Sequence, residues 1–325
     1  VTFLCILKAC GKRGAIDKGK QIHDELENMK LLEKDIVLGT ALVDMYVKCD
    51  ALAKARQVLK ELHVRDVVSW NALIAGYAQK ELCYEAFDCF EEMQSEGLSP
   101  DLVTFTCILK ACGSIGAIDK GKQIHEEFAN KCLLLNNIVL SNALVNMYLK
   151  HGLFSIARPI FDKLITRDVI TWTSLISGYA QFGTADIVVT LFDSMIREEV
   201  KPSLVTFTVV LNACSRTGLC HKSQSYFQAM SRDYGINPTL QHHGCMIDLF
   251  GRAGHFDMAK ALLDKVSYSG HLPLFLTILG ACRTWRNLKL GRWAFEHLIN
   301  LNEKCAGAYV TMENLYVEAE MQKES

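Results

Sequence analysis

The chain has 325 residues, of which 50% are hydrophobic, with 5 prolines, 21 glycines and a formal net charge of −1. This composition excludes a disordered or loop-dominated chain, and a protein that coats nucleic acid through bulk positive charge would be visibly basic. The 13 cysteines form no Cys-x-x-Cys pair, and Cys10, Cys112, Cys214 and Cys282 sit in apolar runs. They read as reduced, buried thiols rather than a disulfide framework, and no apolar run approaches the ~18 residues of a membrane span.

In chain order, the first feature is a repeat. Residues 1–11 (VTFLCILKACG) return at 103–113, 14–23 (GAIDKGKQIH) at 116–125, 36–46 at 138–148 and 65–79 at 167–181, each shifted by 102 residues. A more diverged third copy opens at Val205-Thr206-Phe207, and Val1 already lies inside a repeat, so a preceding segment is expected. Each 102-residue cycle holds three related units, starting near 36, 67 and 102 and again near 138, 169 and 204, with lengths of 31, 35 and 36 residues. Within a unit an apolar stretch leads to a Gly-containing turn, whose glycine suits a left-handed helix end. A second stretch follows, ending at Leu62, Met93, Leu164 or Met195. Leu73, Ile74 and Tyr77 in the first stretch, and Phe87, Phe90 and Met93 in the second, have helical spacing. Such short helices would not persist alone, so unit must stack on unit to bury a continuous core. The fold expected is all-α, a right-handed α-solenoid superhelix of helix–turn–helix repeats.

The tetratricopeptide pattern of Trp, Leu-Gly and Tyr in the first helix, with a closing Pro, is absent. Present instead are Val68-x-Trp70-Asn71-x-Leu73-Ile74-x-Gly76-Tyr77, Asn142-Ala-Leu-Val-Asn-Met-Tyr148 and Glu91-Glu-Met93 ahead of a Pro100-Asp101 end. Over essentially its whole length the chain resembles the pentatricopeptide repeat (PPR) family. Its alternating unit lengths resemble the plant organellar PLS subclass, in which long, short and standard repeats alternate. Cys245–Gly254 looks like a final short repeat. Leu279-Gly-Ala-Cys-Arg283 followed by Ala308-Tyr-Val310 resembles the C-terminal E extension, with Phe275 where the family has Trp. The organisation expected is a long repeat at 1–35, two cycles at 36–137 and 138–239, a short repeat at 240–271, an E-like repeat at 272–305 and a second, cut short, at 306–325.

The resemblance implies single-stranded RNA bound one nucleotide per repeat, read by the fifth and last residues of each unit. These are Thr40 with Asp66, Asn71 with Asp101, Thr106 with Asn137, Asn142 with Asp168, and Thr173 with Ser203; Thr208 and Thr239 follow. The implied register is G, U, (A), U, (A or weak), 5′ to 3′, long units reading less reliably than the others. Short donors and acceptors of this kind suit the edge of a splayed base. A lone Asn or Thr near a helix start is better explained as a cap, but six recurring at one register favour function. The second residues Val37, Val68, Val103, Val139, Ile170 and Val205 would sandwich the bases; core packing accounts for them equally well. Lys12, Lys48, Lys150, Arg216 and Arg252, at the thirteenth position, suit the helix dipole and would also form a positive track for phosphates. Gln79 and Gln181 interrupt it. Leu4, Gly244 and Leu276 occupy the reading slot without polar groups.

His23-Asp24-Glu25 and His125-Glu126-Glu127 have the His-x-Glu spacing of zinc deaminases but lack a Cys-x-x-Cys partner, and read as helix-surface residues. The adjacent pair His242-His243 cannot share a helix face. No phosphate loop or nucleophile motif appears, so neither an enzyme nor a cofactor is expected. The reading is an RNA-binding adaptor of organellar C-to-U editing, in chloroplast or mitochondrion, recruiting a deaminase-domain protein through 272–325. Alternatives are a factor for RNA stability, splicing or translation, and a protein–protein scaffold.

Overall fold

The computed structural model describes residues 2–33, 35–130, 137–265 and 272–320. Among them the regular structure is nineteen helices and no strand. Their order is α1 (Thr2–Arg13), α2 (Ile16–Asn28), α3 (Ile36–Lys48), α4 (Leu52–Glu61), α5 (Val67–Gln79), α6 (Cys83–Ser95), α7 (Leu102–Ile115), α8 (Ile118–Asn130), α9 (Ile138–Lys150) and α10 (Phe154–Asp162). There follow α11 (Val169–Gln181), α12 (Ala185–Arg197), α13 (Leu204–Thr217), α14 (Cys220–Arg232), α15 (Leu240–Arg252), α16 (Phe256–Lys265), α17 (Leu272–Thr284), α18 (Leu288–Leu301) and α19 (Ala306–Glu320). The chain divides into two compact units, Val1–Thr166 and Arg167–Ser325. That division falls at a helical-hairpin boundary, not at a limit of the 102-residue cycles.

Within each unit the helices pair as hairpins, and the first helix of each hairpin packs on the first helix of the next. In the first unit α1 meets α3, then α5, α7 and α9 in turn; in the second α11, α13, α15, α17 and α19 follow the same scheme. The period is visible in the core. Phe90 meets Phe105 edge to face at 6.1 Å in the first unit, and Phe192 meets Phe207 at 5.4 Å in the second. The second unit ends in a continuous apolar cluster that includes Phe275, Ile278, Leu279, Leu298, Met312 and Leu315. Leu276, expected to read no base, packs against it.

The turn glycines behave as the sequence suggests in the long repeats: Gly116 caps α7 at φ 77° and Gly218 caps α13 at φ 73°. Gly76 has another role. It lies inside α5, where an added Cβ would come 2.5 Å from Val47 Cγ1 on α3. Gly76→Ala is expected to cost about 1–3 kcal/mol through overpacking, read by thermal unfolding. Val47→Ala in the same chain should restore most of it; no restoration would place the cost elsewhere.

The thiols of Cys112, Cys214 and Cys282 are fully buried, which pushes them up to about 12, 11 and 12. The surface placement of the two repeat histidines is corrected. His23 is 4% exposed, and its Nδ1 lies 3.0 Å from the Tyr46 hydroxyl; half-buried His125 makes the same contact with Tyr148. A tyrosine hydroxyl buried between hairpins needs a partner, and the histidine provides one. One cycle later both positions are apolar, Phe227 and Phe250. Burial holds both imidazoles below the ordinary histidine range despite nearby Glu27 and Glu126.

Candidate nucleic-acid interface

The fifth residue of each unit lies one turn into a first helix, and the last residue stands immediately before the next first helix. The latter are N-caps. Asp66, Asp101, Asn137, Asp168 and Ser203 each accept a backbone N–H from the first turn that follows. The capping account is therefore correct for the last residues, while the fifth residues, inside helices, cap nothing.

Capping draws fifth and last residues together through a third side chain, at the N3 position of the following helix. At the second complete repeat, Asn71 is 7% exposed. Its Nδ2 donates to Asp101 Oδ1 at 2.9 Å, and the Thr104 hydroxyl donates to Asn71 Oδ1 at 2.6 Å. A carboxylate only accepts, so the amide orientation is fixed. Asp101 Oδ1 also takes the backbone N–H groups of Val103 and Thr104 and lies 3.0 Å from the Thr104 hydroxyl, whose single hydrogen it shares with Asn71 Oδ1. Burial pushes the Asp101 carboxyl up, but these bonds outweigh it and hold the group below its ordinary range. All these contacts fall on Oδ1, so Oδ2 keeps its acceptor capacity and Asn71 keeps one N–H.

The same triangle recurs in the second unit. The Thr173 hydroxyl lies 2.7 Å from that of Thr206, which lies 3.0 Å from that of Ser203. Next along, the Thr208 hydroxyl lies 3.0 Å from His242 Nε2, and the Thr239 hydroxyl 2.7 Å from His242 Nδ1. Sequence reasoning missed Thr104, Thr206 and His242. The available signal was a polar N3 residue in an otherwise apolar run, the pattern of a capping box.

The other pairs differ. Ser69, at N3 of α5, donates to the Asp66 carbonyl, and the Thr40 hydroxyl is buried with no hydrogen-bond partner. Asn142 is 8% exposed and its Oδ1 is likewise unpartnered; it lies in the first unit, and Asp168 caps α11 in the second. Leu140 stands at N3 of α9, so among the described residues no polar N3 side chain links Thr106 to Asn137, and the Thr106 hydroxyl donates to the Leu102 carbonyl. Two buried polar atoms without partners at one register are costly.

Val37, Val68, Val103, Val139, Ile170 and Val205 are 53–60% exposed, so core packing does not account for them. Lys12, Lys48, Lys150, Arg216 and Arg252 are exposed at the ends of first helices. Two are matched within their own helix, Lys48 by Asp44 and Arg252 by Asp248 at 2.9 Å, and Arg216 donates to the Ala180 carbonyl. The positive potential is weaker than a count of cations suggests. Among the described residues no cluster of three His, Cys, Asp or Glu side chains could hold a metal. No described helix is long and apolar enough to cross a membrane.

The chain matches the PPR repeat family over 65–114 and 167–216, and the PPR repeat over 1–31, 205–234 and 242–271, together more than half its length. Similar proteins of Arabidopsis thaliana include a putative pentatricopeptide repeat-containing protein, 38% identical over 97% of this chain and 42% of its own length. A mitochondrial pentatricopeptide repeat-containing protein is 32% identical over 99% and 57%. The chloroplastic pentatricopeptide repeat-containing protein CRR2 is 36% identical over 98% and 49%. The chain thus spans about half the length of the curated relatives it matches. Among solved structures, the pentatricopeptide repeat protein PPR10 in complex with an 18-nt psaJ RNA element superposes with a TM-score of 0.75 at 16% identity, over 96% of this chain and 47% of that one. PPR10 from maize gives 0.58 at 20% identity, over 99% and 52%. These likenesses establish the solenoid class of fold.

Proposed function

The chain belongs to the pentatricopeptide repeat family, and from that premise we propose that it binds single-stranded RNA sequence-specifically, one base per repeat. The observation that carries this reading is the Asn71–Thr104–Asp101 triangle. It leaves one amide donor and one carboxylate acceptor, which complement O4 and N3–H of uracil. The unpartnered Thr40 and Asn142 atoms support it, as do the exposed second-position residues, whose apolar surfaces suit stacking between bases. The relative in complex with RNA is of the same fold. The protein acts as a binder, with no catalytic role and no cofactor.

The finer reading is a specificity factor of organellar C-to-U editing of the PLS subclass, in chloroplast or mitochondrion. The E-like region of α17–α19 would recruit a deaminase-domain protein in trans. Residues 321–325 of that region lie outside the described residues. Sequencing the organellar transcripts of a loss-of-function line tests this: at least one lost C-to-U site is expected, and an unchanged editing profile would move the role to stability, splicing or translation.

Binding should prefer single-stranded RNA over duplex RNA of the same sequence; equal or absent binding would favour a protein scaffold. Lys150→Gln is expected to weaken binding uniformly across RNA sequences and to reduce the slope of log affinity against log salt by about 1. A sequence-dependent loss would show that Lys150 contacts a base.

A further inference from the structure

His242 stands out among the N3 residues because its hydrogen bonds fix every proton around it. It is 1% exposed. Its Nε2 lies 3.0 Å from the Leu204 carbonyl, an acceptor only, so Nε2 carries the hydrogen. The backbone N–H of Thr239 points at Nδ1 from 3.1 Å, so Nδ1 is a lone pair. The ring is therefore neutral and Nε2-protonated; burial, which holds His242 below the ordinary histidine range, agrees.

The two hydroxyls flanking the ring follow. With Nδ1 an acceptor, the Thr239 hydroxyl points its proton at the same lone pair from 2.7 Å and shares it with the Thr239 backbone N–H in a three-centre bond. The Thr208 hydroxyl donates to the Leu204 carbonyl at 3.0 Å and takes a share of the Nε2 hydrogen. Both protons are committed inside the protein. What Thr208 and Thr239 have left for a ligand is lone pairs, whereas Asn71 and Asp101 leave one donor and one acceptor.

Resting on the RNA-binding reading, we infer that His242 is a positioning residue that makes the Thr208/Thr239 repeat an acceptor-only site, selecting the base edge richest in donors. That edge is guanine's, with N1–H and N2–H2 adjacent. Uracil, whose single N3–H lies between two carbonyl oxygens, is the least favoured. Threonine at the same N3 position, as at Thr206, would present a rotatable hydroxyl able to donate or accept.

Four RNAs carrying G-U-A-U-A-N and differing only at N test this by fluorescence anisotropy. Guanine at N should bind tightest and uracil weakest, by about tenfold, the low end of a well-made base contact. In His242→Thr the guanine preference should fall to within about twofold, while the preference for uracil at the second position, opposite Asn71 and Asp101, persists. Wild-type indifference at N with discrimination kept at the second position overturns the inference and leaves the RNA-binding reading standing. Indifference at both positions overturns both. An unchanged guanine preference in His242→Thr removes His242 as the determinant. Imidazole ¹H–¹⁵N correlation spectra of the wild-type protein check the tautomer independently of any variant: an unprotonated Nδ1 is expected, and a protonated Nδ1 overturns the inference.

Discussion

Asn71→Thr is expected to move the preferred base opposite α5 from uracil towards guanine. In the wild-type site the Thr104 hydroxyl and the Asp101 carboxylate hold the Asn71 amide from two sides, at 2.6 and 2.9 Å. The remaining Nδ2–H is the only donor the pair offers to O4 of uracil. A threonine removes that donor and leaves the Asp101 carboxylate beside a hydroxyl that can accept. Such a pair suits N1–H and N2–H2 of guanine, and the family's reading of Thr with Asp as guanine agrees. Losing one well-made base contact and creating another should change relative affinity by about 1–3 kcal/mol at that position. Parallel anisotropy titrations of wild type and variant against RNAs with U or G there provide the check. Equal loss on both RNAs would mean that Asn71 supports the fold without touching a base.

The largest stability effect should come from Trp70→Ala. Trp70 is 1% exposed, and its Nε1 donates to Glu96 Oε2 at 3.0 Å while Arg65 holds the same carboxylate at 2.8 Å. Removing the indole leaves a cavity between α5 and its neighbours, with an expected cost of about 3–5 kcal/mol. In an array where each hairpin touches only its neighbours, the damage should stay local. Urea unfolding followed by far-UV circular dichroism should therefore show an early partial transition. A loss below about 1 kcal/mol would show that the site collapses around the missing ring.

The helices, their pairing and the placement of the fifth and last residues of each unit around the helix starts were legible because each rests on local information. Apolar spacing marks the faces, an Asp, Asn or Ser before an apolar run marks the cap, and the 102-residue period repeats both. What was not legible depends on residues brought together from afar. Asn71 and Thr104 are separated by one whole repeat, so the coupling through N3 has no local signature beyond a polar residue that also reads as a cap. His23 and His125 were misplaced because helical spacing says nothing about a tyrosine in the next hairpin; the joint replacement of that histidine and tyrosine by Phe227 and Phe250 one cycle later was the signal available. The discount on the basic residues was local and readable, since Lys48 and Arg252 each follow an aspartate by four positions.

The most direct test of base reading is the equilibrium affinity of the unmodified protein for four single-stranded RNAs. All carry G-N-A-U and differ only at N, the base opposite Asn71 and Asp101. Uracil should bind tightest, by about tenfold or more over adenine and cytosine. Equal affinity for all four would contradict base reading by this pair, whatever the protein's total affinity for RNA.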